Sequence, residues 1–118
     1  MENNNIGKIN ISDDVIATIA SKATCEVEHV CSLSAGIGSN ITDLLGVKNF
    51  NKPIKIESSE EGCIIDIYVD IEYGSKIDKV GYDIQSSVKT AVEEMTDIHV
   101  IQVNVYVKGV KEAPKANK

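Results

Sequence analysis

The chain has 118 residues, 42% of them apolar and 25% charged, which is the composition of one globular domain. Its net charge is −6 and all twelve basic residues are lysine. Phosphate backbones and base edges select clustered cations with bidentate arginines, so this balance argues against nucleic acid as a partner. The longest apolar runs are only a few residues, far short of a membrane span.

Ile and Val together supply 30 residues against three Leu and one Phe, an excess of β-branched side chains that favours strands. The opening Met1 to Ile6 lacks an apolar h-region, so no secretory signal is expected. Cys25, Cys31 and Cys63 are an odd number of cysteines. In a chain with no export signal they fit a reducing cytosol better than a disulfide framework.

In chain order, Lys8 to Ile11 alternates and reads as a short strand. Ser12 is a good N-cap, and Asp13 and Asp14 suit the first turn of a helix, where the dipole favours carboxylates. Val15, Ile16, Ile19, Ala20, Ala23, Val27 and Val30 then form one stripe of helical period. Residues 34 to 53 are irregular, with a short helix expected over Ile41 to Leu45 and with Leu44, Leu45 and Phe50 seeking cover. Ile54 to Glu57 is a strand, and Ser58 to Gly62 a polar turn.

Cys63 to Tyr73 is the cleanest signal. Ile65, Ile67, Val69, Ile71 and Tyr73 face one way, and Asp66, Tyr68, Asp70 and Glu72 the other. A second amphipathic helix follows over Ile77 to Met95, with Ile77, Val80, Ile84, Val88, Ala91, Val92 and Met95 in its stripe. The last strand, Ile98 to Val110, turns Ile101, Val103, Val105 and Val107 inward. The expected fold is a two-layer α+β sandwich of order β-α-β-β-α-β, one mixed sheet with both helices on its apolar face. A helical crossover makes the last two strands parallel. The other face, with Asp66, Tyr68, Asp70, Glu72, Gln102, Asn104, Tyr106 and Lys108, is left open. Residues 1–6 are expected to be disordered, 7–110 to form the domain, and 111–118 to be a flexible Lys-rich tail.

Three stretches carry a family resemblance. Gly7 to Ile16 followed by Ile19-Ala20 is similar to the opening of the alkaline-shock, Gls-type envelope stress response family of Gram-positive bacteria. Asp70-Ile71-Glu72-Tyr73-Gly74 before Ile77, then Gln85, Val88 and Ala91 to Thr96, resembles that family's most distinctive stretch. Asn104 to Val110 resembles its ending. His29, Pro53 and Asp97 stand where the family often has glycine. The resemblance implies a cytoplasmic stress protein without enzymatic activity or catalytic residues to carry over, held near the membrane through partner proteins. Its partners would be proteins, with a membrane-anchored family member and a second copy of the chain as candidates.

Other chemistries are weaker. Cys25 and His29 at i,i+4, with Cys31, have the look of a metal cluster, yet they lie opposite the apolar stripe and lack a fourth ligand. Gly36-Ile37-Gly38 lacks the third glycine and the lysine of a phosphate-binding loop. Asp70 and Glu72 lie about 7 Å apart on one strand face, but an open sheet face offers no desolvating pocket. The two histidines fall on separate elements without placed nucleophiles. Lys111, Lys115 and Lys118 would each gain about 1 kcal/mol at an anionic lipid surface, opposed by Glu112 and the acidic body. Recruitment by a partner is therefore expected rather than direct membrane insertion. The expected working residues are Tyr68, Tyr106, Asp70, Glu72 and Lys108, as a partner-binding face. No catalytic residue, cofactor or metal is assigned. The alternative is a small-ligand or metal-binding module using the 34–53 loop or the Cys25/His29/Cys31 cluster.

Overall fold

The computed structural model describes residues 6–33 and 53–112. The tail beyond Glu112, the expected helix over Ile41 to Leu45, the Gly36-Ile37-Gly38 turn, and Leu44, Leu45 and Phe50 lie outside the described residues. Among these residues two helices and one mixed four-stranded sheet form an α+β sandwich: α1 (Asp13–Cys25), β1 (Val30–Leu33), β2 (Ile54–Ser59), β3 (Gly62–Glu72), α2 (Ile77–Thr96) and β4 (Val100–Lys111). β3 is central. On one side it pairs in parallel with β4, from Cys63↔Val100 to Glu72↔Lys111. Its other side is shared end to end by two antiparallel strands, β2 along Gly62 to Ile67 and β1 along Val69 to Ile71.

The alternation in β3 sets the layers. Ile65, Ile67, Val69 and Ile71 are all fully buried, and each such side chain contributes roughly 1.5–3 kcal/mol of burial free energy. Ile16 and Ala20 of α1 cover them from above, together with Val80, Ile84, Val88 and Val92 of α2. Ser12 caps α1 as its sequence suggests: its hydroxyl accepts the Val15 N–H at 3.4 Å. Glu60 and Glu61 make a two-residue connection between β2 and β3, closed by the Ser59↔Gly62 pair.

Several local expectations are corrected. Lys8 to Ile11 is not a strand: it has no sheet partner among the described residues, and Ile9 is 91% exposed. The fourth strand comes after the first helix instead, so the observed order is α-β-β-β-α-β. Val30, expected on the helical stripe, belongs to β1, because the chain leaves the helix after Cys25 and His29 takes φ +75°. Tyr73 lies past the end of β3 and is 75% exposed rather than inward. Ile77 and Met95, in the first and last turns of α2, are exposed rather than part of its buried stripe. On β4 the ladder passes from Cys63↔Val100 to Ile64↔Gln102, so Ile101 is an extra residue and Val100 takes the buried place expected for it. β4 also runs through Lys111, one residue into the expected tail.

His29 and Asp97 are the two non-glycine residues with positive φ among the described residues. Both stand where the resemblance places glycine, and the left-handed region explains why glycine suits these two turns. Asp97 ends α2 in this conformation at φ +65°, its N–H donating to the Glu93 carbonyl at 3.0 Å. Its carboxylate also meets the negative end of the helix dipole. Asp97→Gly is expected to raise stability by about 1 kcal/mol, measured as a shift of the urea midpoint at unchanged slope. Gly62 is the opposite case. It sits at φ +142°, and a Cβ there would lie 2.3 Å from the His99 carbonyl oxygen, whose hydrogen bond from Cys63 N–H starts the β3–β4 ladder. Gly62→Ala should lower stability by about 3 kcal/mol in the same measurement, as backbone strain and overpacking combine.

Candidate functional site

On the face of the sheet away from the helices, register decides which side chains meet. Tyr68 of β3 is opposite Tyr106 of β4, and their rings stack with centroids 4.8 Å apart and planes 19° apart. On the far side of Tyr68, the Lys55 ammonium of β2 lies 5.4 Å from its ring centroid, within cation–π range. Lys55, opposite Asp66 in register, reaches diagonally to Tyr68, so that Lys55, Tyr68 and Tyr106 form one row of contacts across three strands. One rung away, Asp66 Oδ1 accepts a hydrogen bond from the Asn104 side-chain amide at 2.9 Å.

The acidic residues are held by cross-strand partners. Asp70 is only 7% exposed, against the expectation of a wet face, and its carboxylate lies 3.1 Å from the Lys111 ammonium. It is opposite Gly109, where a Cβ would come within 2.7 Å of Asp70 Oδ1, so the carboxylate occupies space that only glycine leaves free. Lys108, expected to balance the carboxylates, is the extra residue of a bulge between Val107 and Gly109 and is exposed. Glu72 accepts from His29 Nδ1 at 3.0 Å, and its own N–H donates to the His29 carbonyl at 2.9 Å. That side-chain bond holds the imidazole pKa above its ordinary value, with the charges of Glu72 and Glu28 acting in the same direction; partial desolvation and Lys79 oppose them.

The outer edge of β4 is treated unevenly by α2. Gln85 donates to the Val103 carbonyl at 3.0 Å, Lys89 to the Val100 carbonyl at 3.2 Å, and Glu93 accepts the Val100 N–H at 2.9 Å. This backbone bond, with that from Lys89, draws the Glu93 pKa below the usual carboxylate value. Three α2 side chains thereby seal the first part of an edge strand. Among the described residues no side chain does the same for Val105 or Val107.

The Cys25/His29/Cys31 grouping is not assembled as a metal site. The helical spacing that would have aligned Cys25 with His29 stops at Cys25, His29 turns to Glu72, and Cys31 Sγ lies 4.0 Å from the Lys111 carbonyl. Among the described residues, no group of three or more His, Cys, Asp or Glu side chains could hold a metal ion. Cys63 is fully buried, and burial, ahead of the charges of Asp13 and Glu93, raises its thiol pKa. Among the described residues two open clefts of about 540 and 510 Å³ border α1, one against Pro53 and Ile54 and one against α2, and neither lies on the outer sheet face. Lys55 and Lys111 escaped the sequence reading of this face, as did the Asp66–Asn104 hydrogen bond and the sealing role of Gln85, Lys89 and Glu93. Strand alternation would have put Lys55 and Lys111 on one face or the other, but only the register says which.

The model of the alkaline-shock, Gls24-type family, described by its cell envelope-related function, matches residues 1–112. The chain belongs to this alkaline-shock family. It is 35% identical over 107 residues to Spy1614 of Streptococcus pyogenes serotype M6, covering 89% of this chain and 88% of that one. To YloU of Bacillus subtilis it is 32% identical over 107 residues, with 89% of each chain covered. A Streptococcus pyogenes stress response regulator gls24 homolog is 27% identical over 106 residues, and there the match spans 59% of the longer relative. Among solved structures the MamM CTD aligns with a TM-score of 0.51 at 9% identity, over 83% of this chain and 99% of that one, a likeness of fold alone. The resemblance read from Gly7 to Val110 is thus confirmed as family membership, with an envelope-related function. Among the described residues no helix is long and apolar enough to cross a membrane.

The His29–Glu72 pair makes a pH-dependent contribution of known sign. A raised folded-state pKa means that the pair stabilises the fold fully below the ordinary histidine value, and that this is lost as pH rises through the folded value. Proton NMR titration of the His29 ring should give a midpoint above about 6.5, moving down toward it in Glu72→Gln. An unmoved midpoint would detach His29 from Glu72.

Proposed function

We propose that this alkaline-shock-family chain is a non-enzymatic interaction module of the envelope stress response. It works in the cytoplasm and is held near the membrane by a protein partner, for which a membrane-anchored family member and a second copy of the chain are the candidates. The observation that carries the reading is the stacked Tyr68–Tyr106 pair on an otherwise polar sheet face, with Tyr106 42% exposed. Tyrosine is enriched at binding hot spots because it buries a large rigid surface and keeps a polar tip. Around it Asp70, Glu72 and Lys108 supply charges that select among partners.

The same face gives little support to catalysis. Asp70 is tied to Lys111 and Glu72 to His29, and the two clefts found among the described residues lie elsewhere. The relatives named for stress response regulation support the stress context of this reading.

Recovery of partners from detergent-solubilised membranes of a Gram-positive host tests it. The double variant Tyr68→Ala/Tyr106→Ala should lose binding by about 2 kcal/mol or more, near thirtyfold in Kd, while circular dichroism shows the fold intact. Undiminished recovery would remove this face from the interaction.

A further inference from the structure

Among the described residues β4 is an edge strand that is sealed along only part of its length. In a strand, successive residues turn their N–H and C=O groups to alternate sides. The Val103 carbonyl points outward to Gln85, so the backbone groups of Val105 and Val107 point outward as well. Exposed Tyr106 stands between them, its inner ring face covered by Tyr68. The row Lys55–Tyr68–Tyr106 therefore ends at the same place where the backbone edge opens. Charge marks this place too. In a chain of net charge −6, β4 carries no carboxylate from Val100 to Lys111; of the two lysines in its unsealed half, Lys111 is paired with Asp70, and exposed Lys108 has no ion pair among the described residues.

We infer that the Val105–Val110 edge of β4 accepts an extended segment of a partner protein as an added strand, one that places an aromatic side chain against Tyr106 and a carboxylate beside Lys108. Main-chain bonds to Val105 and Val107 would supply the pairing, and alternate side chains the selection. The aromatic would continue the cross-strand stack on the sheet face, and the carboxylate would answer the local positive charge.

A second β4 fits this edge less well. A two-fold axis at Tyr106 would set Val103 opposite Gly109 of the other copy, yet the Val103 carbonyl is already taken by Gln85. An axis at Lys108 would set lysine directly against lysine, which destabilises a strand pair.

The inference rests on the proposal that the chain works through protein partners, but its test does not depend on recovering one. The probe is a blocked heptapeptide, Val-Glu-Val-Tyr-Val-Glu-Val, titrated into the 15N-labelled full chain. Amide shifts and slowed hydrogen exchange are expected from Val105 to Val110. Replacing both glutamates of the peptide by lysine should weaken binding about threefold, the size of an exposed ion pair, and Lys108→Glu in the chain should reverse that order. Methylating the peptide nitrogens beside its tyrosine removes strand donors without touching the protein, and should abolish the shifts. The inference is overturned by shifts that map to another surface, by an absence of shifts up to millimolar peptide, or by equal binding of the Glu and Lys peptides. A free chain that is already a dimer, with the Val105 and Val107 amides protected, would also overturn it, since a second copy would then hold the edge. Failure of the broader proposal would show separately, as unchanged partner recovery in the double tyrosine variant.

Discussion

A strand of period two must send every second side chain into the same layer, and in β3 those are Ile65, Ile67, Val69 and Ile71, all without accessible surface. A one-residue slip would bring Asp66, Tyr68, Asp70 and Glu72 under the helices, so the register is fixed by the cost of burying those charges. Every other element takes its place from this strand. β2 and β1 divide one edge of it, β4 runs along the other, and α1 and α2 are anchored over its apolar face.

The opposite face inherits its chemistry from the same constraint. Because β3 and β4 run parallel, residues far apart in sequence become rungs of one ladder: Asp66 with Asn104, Tyr68 with Tyr106, Glu72 with Lys111. The two bulges on β4 interrupt this regularity where it matters chemically. One moves Val100 into the core in place of Ile101; the other frees Lys108 and brings Gly109 to Asp70, whose carboxylate needs the space that a side chain would fill. Charges that look solvated in the sequence are thus cross-linked between strands, and the aromatic pair is left as the prominent surface of the face.

Fold and family carry different information. The MamM CTD is similar in fold at 9% identity, so a like chain path can be built from very different side chains, and the likeness carries no function. The alkaline-shock family match spans residues 1–112 and brings the envelope-related function with it. His29 and Asp97 show how a sequence pattern becomes physics. Both occupy turns in the left-handed region, where glycine costs least, and His29 is further held by Glu72.

By itself the sequence determined the helices, the long strands and which face of each is apolar, because a 3.6 or 2.0 period of apolar residues is a local property that burial then enforces. It also placed Tyr68, Asp70 and Glu72 on one face, since all three lie on one strand. Tertiary structure decided the rest. Lys8 to Ile11 has the alternation of a strand yet pairs with nothing among the described residues, while Val30 to Leu33, whose first residue reads as the last of a helical stripe, takes the open edge of β3. Alternation offers a strand but does not provide a neighbour, and hydrogen-bonded pairing needs one. The stack of Tyr68 on Tyr106, the partner of Asp70, and the sealing of β4 by Gln85, Lys89 and Glu93 depend on inter-strand register and helix placement. Those are set by the whole core at once, and no local pattern records them.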